Sequence, residues 1–223
     1  MRVLYHLPLD AACRKIRILM KEKALDFEVK AEKTWERREG FLKLNPAGEV
    51  PVLIESDGTV IPDHRVIQEY LCEAYPAGQE LLGRSPLDRA ETRRLAVWFD
   101  EKFGREVTQN LVNEKILKRF LGMGEPNSQA IRAGHSNIHY HLDYIGWLAE
   151  RRRWLSGDEF SLADVAAAAH LSAVDYLGDV PWSQHEAAKD WYARVKSRPS
   201  LRPLLADYLP GAPPPKHYAD LDF

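Results

Sequence analysis

The stretch of residues 48–71 constrains the fold of this chain more than any other part of the sequence. It contains two short runs rich in Val and Ile, a tight turn, and an apolar pattern with helical spacing. Asp57-Gly58 lies between the two runs and favours a β-hairpin, because the turn needs a residue that tolerates positive φ. Val50-Pro51 precedes the first run, where a proline breaks no ladder and a cis peptide would fix the entry of the strand. The sequence therefore predicts a hairpin and then a helix, whose buried side is expected to carry Val66, Ile67, Tyr70 and Leu71.

The residues before this stretch predict a strand, a helix and a second strand. Residues 3–7 and 26–31 have strand-like patterns, and Asp10 stands at the position of a helix N-cap. Such a βαβ unit favours a parallel pair of strands. The predicted helix has an apolar face of Cys13, Ile16, Leu19 and Met20. Its cations lie elsewhere on the helix and are Arg14, Lys15, Arg17, Lys21 and Lys23.

From residue 87 onward the sequence predicts helices and no strand. Apolar residues recur at steps of three and four over 95–111, and again from 131 in a helix predicted to run to about Trp154. The two helices are expected to pack as an antiparallel hairpin. Ser161 to Asp164 form a capping box before an alanine-rich helix. We therefore predict an α/β domain over 1–76, a linker over 77–86, an all-helical domain over 87–209, and a tail over 210–223.

Two segments of this chain resemble the glutathione transferases. The first is the hairpin with its Val50-Pro51 entry, and the second is Trp154-Leu155-Ser156-Gly157-Asp158-Glu159-Phe160-Ser161-Leu162-Ala163-Asp164. The resemblance covers residues 2–208 in the family's order. It implies an α/β plus all-α architecture, with a thioredoxin-like N-terminal domain followed by an all-helical C-terminal domain.

The resemblance places the family's activating hydroxyl or thiol at the start of the first helix, where this chain has Asp10. An ionised carboxylate only accepts hydrogen bonds and repels a thiolate, so we expect Asp10 to cap the helix rather than to activate glutathione. Tyr5 and Cys13 are the alternative candidates for the catalytic group. A strand tyrosine commonly serves packing, and a thiol one turn into the helix is expected to be buried and inert.

The resemblance also implies that a glutathione site would include Val50, Pro51, Asp63 and His64. The family usually has Glu-Ser where this chain has Asp63-His64, and the serine and the helix amides hold the γ-glutamyl carboxylate. Asp63 is a shorter acid, and His64 is bulkier and donates strongly only when it is protonated. We therefore expect a degenerate site without a cofactor, with glutathione binding as the alternative.

Two parts of the chain are candidates for binding a protein partner. Trp35 stands alone among charged residues beside Arg37 and Arg38, a composition common at binding hot spots, although partial burial over the core is the alternative. The proline-rich run after residue 209 predicts a stiff, extended spacer. The heptad beyond it suits docking of a short motif, with a frayed terminus as the alternative. Its candidate contacts are Tyr218, Asp220, Leu221, Asp222 and Phe223.

Composition argues against several other classes of protein. Lys+Arg 31 against Asp+Glu 33 gives a net charge of -2, which creates no field for nucleic acid or an anionic membrane. Cys13 and Cys72 are too few for a disulfide framework, and no segment reaches the ~18 apolar residues of a membrane span. We therefore expect a cytoplasmic protein. His135 and His139 share a helical face near His141, but their spacing supplies no further ligand, so no metal site is predicted.

The closing segment from His217 to Phe223, together with Asp10 and Asp63-His64, resembles one branch of the family. This branch comprises glutathione-transferase homologues of alphaproteobacterial cell division that bind FtsZ. The resemblance implies a non-catalytic homodimer, recruited to the division site, that organises FtsZ filaments and links them to septal wall synthesis. The alternative function is a glutathione-dependent transferase that acts on small electrophiles.

Overall fold

The computed structural model describes residues 1–221 and 223, with the side chains of all of these except Phe120 and Leu121; Asp222, one of the predicted tail contacts, lies outside the described residues. The N-terminal part contains a sheet of four strands, β1 Arg2–His6, β2 Phe27–Ala31, β3 Val52–Ile54 and β4 Val60–Pro62. Their order in the sheet is β2-β1-β3-β4. β1 pairs with β2 in parallel and with β3 antiparallel, and β3 and β4 form an antiparallel hairpin.

The helices follow the order that the sequence predicts. Their bounds are α1 Ala11–Glu22, α2 Glu39–Leu42, α3 His64–Ala74, α4 Pro86–Val97, α5 Lys118–Leu121, α6 Ser128–Ala149, α7 Leu162–Asp175, α8 Glu186–Lys196 and α9 Arg202–Leu205. α1 connects β1 to β2, α3 follows the hairpin, and the helices from α4 onward form the C-terminal part of the molecule. Among the described residues, no helix is both long and apolar enough to cross a membrane.

The predicted hairpin is confirmed by the contacts of its turn. The Asp57 carboxylate accepts a hydrogen bond from the Thr59 amide at 2.9 Å, and Gly58 has a φ of 91°. The Val50-Pro51 peptide bond is cis. In α3, Ile67 is fully buried as predicted, but Val66 is 54% exposed. The expectation that Val66 faces the core is wrong, because successive helical residues are about 100° apart and Ile67 takes the central position.

The long helical pattern after residue 87 is also confirmed. α4 continues into Trp98–Leu117, which is wound with π-helical hydrogen bonds, and then into α5. The buried side chains of this segment recur every four residues, which suits its wider winding, and they include Phe99, Phe103, Val107 and Leu111.

The two long helices of the C-terminal part pack antiparallel, as predicted. The hydroxyl of Tyr144 lies 3.0 Å from the Arg94 guanidinium, and His141 lies 3.0 Å from the Glu106 carboxylate. Residue numbers therefore increase along the first helix in the direction in which they decrease along α6. α6 ends at Ala149 rather than at Trp154. The prediction of a longer helix is wrong because Trp154 exchanges backbone hydrogen bonds with Gly157 in a tight turn.

α7 forms the centre of the helical part, and every residue in it is buried. The predicted capping box at its start is confirmed. The Ser161 hydroxyl accepts a hydrogen bond from a backbone amide of the first turn, and the Asp164 carboxylate accepts one from the Ser161 amide. The Asp164 carboxylate also accepts from the Leu155 amide at 3.0 Å and from the Trp191 indole at 2.9 Å. One buried carboxylate therefore joins the turn after α6, the start of α7 and the middle of α8.

α1 differs from the simple amphipathic picture, because its cations are buried as well as its apolar side chains. Arg14 and Lys15 are fully buried, and Arg17 is 5% exposed. Arg14 and Arg17 both pair with the Asp207 carboxylate, at 3.0 and 2.8 Å. These charges face the C-terminal part of the chain, whose acids compensate them, so the helix is buried on more than one side.

The C-terminal tail folds back onto the helical part. Tyr218 is fully buried, and its ring packs edge-on against Tyr176 with 5.2 Å between centroids. The expectation of a spacer that leads to a free heptad is therefore wrong at Tyr218, which is a core residue. The cause is a long-range contact with α7 that the composition of the tail does not reveal.

Candidate functional site

A cleft with a volume of about 380 Å³ opens between the α/β part and the helical part. One wall consists of residues 7–12, which are the loop after β1 and the first two residues of α1. The opposite wall comes from the π-helical segment and includes Val112 and Ile116. The polar side chains that line the cleft include Asp100, His64 and His170, so a mostly apolar cavity contains a few convergent polar groups.

The Asp100 carboxylate is the centre of this polar group. It lies 2.5 Å from Lys15 Nζ, 3.7 Å from His170 Nε2 and 4.0 Å from His64 Nδ1. Although burial acts to raise it, the pKa of Asp100 is held well below its usual range, chiefly by the Lys15 charge. Burial lowers the pKa of Lys15, and Asp100 opposes that effect. The pair is therefore an internally neutralised ion pair beside the cleft.

The two histidines beside Asp100 have different surroundings. His170 Nδ1 is 2.8 Å from the Thr108 hydroxyl. His64 Nδ1 is buried and has no hydrogen-bond partner in the part of the chain that the structure describes. Burial, followed by the Lys15 charge, lowers the pKa of His64 to about 4. His64 is therefore neutral at pH 7 and does not supply the cationic donor that would replace the family's serine.

Asp10 lies at the start of α1 and on the wall of the cleft. Its carboxylate accepts a hydrogen bond from the Cys13 amide at 2.8 Å, which confirms the predicted N-cap. Burial raises the pKa of Asp10, and the hydrogen bonds from Cys13 act in the opposite direction. The helix end that would stabilise a thiolate is thus already occupied by a carboxylate of this chain.

The alternative catalytic candidates lie away from the cleft. Cys13 is fully buried, and its Sγ accepts a hydrogen bond from the Leu7 amide at 3.4 Å. Burial raises the pKa of this thiol well above its usual value, so it is not an activated nucleophile. Tyr5 packs against Phe41 at 5.5 Å, and its hydroxyl accepts from Lys30 at 3.3 Å. Neither Tyr5 nor Cys13 is among the described residues that line the cleft.

Of the four positions of the expected glutathione site, His64 lines this cleft and Asp63 caps α3. The Asp63 carboxylate accepts from the Arg65 amide at 2.7 Å and also pairs with the Arg65 guanidinium at 3.1 Å. The hydrogen bond from the Arg65 side chain lowers the pKa of Asp63 to about 2. Pro51 is buried and Val50 is partly buried. The capping acid thus has a partner within its own chain.

The first candidate surface for a partner lies at the mouth of the cleft. Trp35 is partly buried and lines the cleft, in a short helical turn over Thr34–Glu36. Arg37 and Arg38 are exposed, and the Arg38 guanidinium forms a close ion pair with Glu32. Trp35 is therefore partly accessible at the cleft, and two exposed arginines follow it in the sequence.

The second candidate surface, the tail, divides into a buried part and an accessible part. Tyr218 donates a hydrogen bond to the Leu204 carbonyl at 2.9 Å and is removed from solvent. Asp220 is exposed, while Leu221 and Phe223 are partly buried. Candidate contacts for a partner are thus limited to the residues after Tyr218.

The described residues contain no cluster of three or more His, Cys, Asp or Glu side chains suited to a metal ion. Each of the three histidines of α6 instead faces a protein group. His135 lies 3.8 Å from Asp179, and His139 Nδ1 lies 2.8 Å from His185 Nε2. His141 lies between the Trp98 indole and the Glu106 carboxylate.

Sequence reasoning missed Lys15, Asp100 and His170, which form the polar group beside the cleft with His64. Asp100 lies within an aromatic helical stripe between Phe99 and Phe103, which is the one local hint of a buried acid. Its partner Lys15 is 85 positions away in the sequence, so the pairing depends on how the two parts of the chain pack.

Models of the glutathione S-transferase N-terminal and C-terminal domains match residues 11–74 and 128–194 of this chain. The chain belongs to the glutathione S-transferase family, and the predicted resemblance and fold are confirmed.

Several individual proteins are similar over the full length. FtsZ-localized protein A from Caulobacter vibrioides is 49% identical over 225 residues, which cover 100% of this chain and 98% of that protein. The structure of FzlA from C. crescentus has a TM-score of 0.96 and 49% identity, covering 100% of this chain and 99% of that one. The crystal structure of a glutathione S-transferase from Rhodospirillum rubrum F11 has a TM-score of 0.98 and 57% identity, covering 100% of both chains.

Proposed function

We propose that this protein associates with FtsZ at the division site and organises FtsZ filaments during septal constriction. The observation that carries the proposal is the full-length similarity, at 49% identity, to a protein named for its localisation with FtsZ. The alignment includes the tail, because it covers 100% of this chain.

The geometry of the cleft supports a role without catalysis. The helix N-terminus that would favour a thiolate is capped by Asp10 instead, and a carboxylate there repels the anion that glutathione chemistry requires. His64 is neutral where the family has a serine, and Asp63 is paired with Arg65. The chain thus keeps the family's scaffold around a site whose ligand contacts are altered.

Trp35, Arg37 and Arg38 are the proposed FtsZ-binding surface. A partly buried Trp has its rotamer held by packing, so little side-chain entropy is lost when its open face is covered. The exposed arginines beside it favour an acidic partner surface and add orientation.

We also propose that the protein is a homodimer through an aromatic face on the π-helical segment and α6. Tyr140 is 58% exposed and Trp147 is 49% exposed, and Trp98 and Tyr144 connect them, with ring centroids 4.8 Å apart. The face is bordered by cations such as Arg151, which lies 4.4 Å from the Trp147 ring centroid. Aromatic residues with arginine at the border are typical of interface centres, and a two-fold dimer would present two FtsZ sites to neighbouring filaments.

Co-sedimentation with FtsZ and GTP tests the proposed association. We expect the protein to pellet with FtsZ filaments and to change their morphology under the electron microscope. Trp35→Ala and Arg37→Glu are expected to reduce pelleting by about tenfold, which corresponds to ~1.4 kcal/mol at the interface. Arg132→Glu introduces the same charge change at an exposed residue outside this surface and is the matched control. Absence of pelleting by the unmodified protein would contradict the association.

The remaining tail contacts, Asp220, Leu221, Asp222 and Phe223, are proposed to dock the septal wall synthesis machinery. Because Tyr218 belongs to the core, the informative deletion begins after it and removes residues 219–223. We expect this deletion to leave FtsZ co-sedimentation intact and to slow constriction in cells. Normal constriction in the deletion strain would argue against a role for the tail.

The alternative function is a glutathione-dependent transferase. The observations that favour it are the open cleft of about 380 Å³ beside α1 and the 57% identity to a solved structure described as a glutathione S-transferase. Calorimetric titration with glutathione, followed by a conjugation assay with a model electrophile, distinguishes the two functions. Binding at millimolar concentration or tighter, together with turnover, would favour the enzyme.

A further inference from the structure

The end of the chain is held by two contacts of different kinds. Tyr218 is fully buried, and its hydroxyl accepts from the Arg14 guanidinium and donates to the Leu204 carbonyl, both at 2.9 Å. Phe223 is partly buried, and its ring packs against the surface of the helical part. One anchor thus belongs to the core, while the other is an accessible side chain at the end of the chain.

The Phe223 ring occupies a groove formed by two aromatic and two cationic side chains, Trp182, Tyr192, Lys189 and Lys196, which we call the tail groove. The ring centroid lies 5.3 Å from that of Trp182 and 5.9 Å from that of Tyr192, both in edge-on arrangements. Lys196 Nζ lies 3.8 Å from the Phe223 centroid, and Lys189 Nζ lies 5.3 Å from it. Trp182 and Tyr192 stack on each other at 4.9 Å, so the groove is organised by its own contacts.

Lys196 makes the tail groove selective for a peptide of defined chemistry. It is fully buried, and its Nζ donates to the His217 carbonyl at 2.9 Å and lies 4.0 Å from the Asp175 carboxylate. A buried cation needs partners around it; the His217 carbonyl and the Asp175 carboxylate lie near Lys196 Nζ whether or not the last residues are bound, and the Phe223 ring adds an aromatic face. The tail groove therefore favours a segment that carries an aromatic ring and, since both of its cations are lysines, acidic groups.

We propose that the tail groove is a receptor for an acidic-aromatic C-terminal peptide, and that the Phe223 ring at the end of this chain fills it reversibly while Tyr218 stays in the core. When it is released, the segment Ala-Asp-Leu-Asp-Phe presents its ring and carboxylates to a partner whose surface has the same chemistry, an aromatic pocket flanked by lysine or arginine. The groove and the partner compete for one segment. The proposal rests on the partner-binding role of the tail and concerns the regulation of that contact.

The difference between the two anchors explains why release stops at Tyr218. If Tyr218 left the core, its hydroxyl would no longer bond to the Arg14 guanidinium and the Leu204 carbonyl. These two groups are removed from solvent, so the loss would be costly. Leaving the groove would give up aromatic and cation–π contacts, which are individually weak. Local opening of this kind requires less free energy than global unfolding, so the two are separable by experiment.

Digestion of the full chain with carboxypeptidase A measures the release of Phe223. We expect cleavage to be about tenfold slower than in the free peptide Ala-Asp-Leu-Asp-Phe, yet faster than global unfolding. Lys196→Met and Lys189→Met are expected to accelerate cleavage several-fold. Lys189 is partly exposed, so Lys189→Met still tests the contribution of the groove cations if the variant of the buried Lys196 does not fold. Lys216→Met changes an exposed lysine of the tail itself and is the matched control.

Binding of the acetylated pentapeptide in trans tests the receptor directly. Full-length Phe223→Ala protein, whose groove lacks the native ring, is expected to bind this peptide, as read by tryptophan fluorescence. The unmodified protein is expected to bind it at least about tenfold more weakly, because its own tail fills the groove. A peptide that ends in Ala should not bind.

Three results would overturn the proposal: cleavage as fast as in the free peptide, cleavage only at the rate of global unfolding, or no binding of the pentapeptide to the Phe223→Ala protein. None of these measurements contains FtsZ. If the protein does not associate with FtsZ, the cleavage and peptide-binding experiments can still be interpreted. If those experiments contradict the tail groove, the proposed FtsZ association is not affected.

Discussion

At the scale of single residues, two side chains, Asp10 and His64, carry the proposal that the glutathione site is altered. Asp10 caps α1 through the Cys13 amide, and His64 is a neutral imidazole beside the Lys15–Asp100 pair. Asp10 and His64 each contact groups of this chain, and these contacts do not involve glutathione. Their effects on stability are therefore measurable without a ligand.

Replacing Asp10 separates capping from charge. Asp10→Ala removes the acceptor for the Cys13 amide and is expected to cost about 1 kcal/mol of unfolding free energy. Asp10→Asn keeps a capping oxygen without the charge. Because burial raises the pKa of Asp10, the stability that this carboxyl contributes is present below its unfolded pKa and is lost as the pH rises.

Chemical denaturation at pH 4 and pH 7 checks this prediction. We expect Asp10→Asn to be at least as stable as the unmodified protein at pH 7, with the advantage shrinking toward pH 4. An asparagine variant that is less stable than the alanine variant at pH 7 would contradict the capping role.

His64 is expected to make the protein sensitive to acid. Its pKa is lowered from 6.5 to about 4, so protonation favours the unfolded chain. The stability that it contributes is complete above pH 6.5 and is lost as the pH falls toward 4, by about 1–3 kcal/mol. His64→Gln is expected to flatten this part of the pH profile of unfolding free energy. His135→Gln, at a side chain that is 43% exposed, is the matched control, and an equal flattening by both variants would refute the assignment.

At the scale of elements, α1 connects the α/β part to the last residues of the helical part. Its buried arginines contact Asp207, Ser172 and Tyr218. The tail thus stabilises the fold through Tyr218, and only the residues after it remain for the proposed contact with a partner. An element that seemed separate in the sequence is part of the core.

Tyr218→Phe tests this structural role of the tail. Loss of the hydroxyl removes an acceptor for the Arg14 guanidinium and a donor for the Leu204 carbonyl, and we expect a cost of about 1–2 kcal/mol in unfolding free energy. Tyr208→Phe removes a hydroxyl from a residue that is 64% exposed and should change stability by less than about 0.5 kcal/mol. Equal stability of the two variants in urea denaturation would show that the buried hydrogen bonds contribute nothing.

The aromatic face of the π-helical segment and α6 is expected to control the oligomeric state. Light scattering coupled to size exclusion should give about twice the 25.5 kDa chain mass for the unmodified protein. Trp147→Glu replaces an aromatic ring of the proposed interface with a charged side chain and is expected to give a single-chain mass, because the truncation of a buried aromatic contact is costly. Tyr208→Glu changes an exposed aromatic residue elsewhere and should remain dimeric. A single-chain mass for the unmodified protein would contradict the dimer.

At the scale of the whole molecule, local signals predicted the fold well. The Asp57-Gly58 turn and the capping box of Ser161 and Asp164 act within a few residues, so their geometry follows from residue types alone. The N-cap at Asp10 was predictable for the same reason. The fold therefore followed from segments whose stabilising contacts are short in sequence.

The parts that escaped prediction depend on contacts between distant segments. Lys15 and Asp100 are 85 positions apart, and Arg14 and Tyr218 are 204 apart. Composition does not show which distant residues pair with each other. The charged face of α1 therefore resembled a solvent-exposed surface, and the packed C-terminal tail resembled a free one. The polar group beside the cleft and the double anchoring of the tail became visible only once the two parts of the chain were packed together.

The central claim is that this family member binds FtsZ filaments instead of glutathione. The most direct measurement records both binding isotherms on one preparation, with sedimentation against GTP-polymerised FtsZ and calorimetry against glutathione. The account predicts saturable binding to FtsZ, weakened by Trp35→Ala, and no saturable heat from millimolar glutathione. Saturable glutathione binding with conjugation of a model electrophile, and no co-sedimentation with FtsZ, would contradict it.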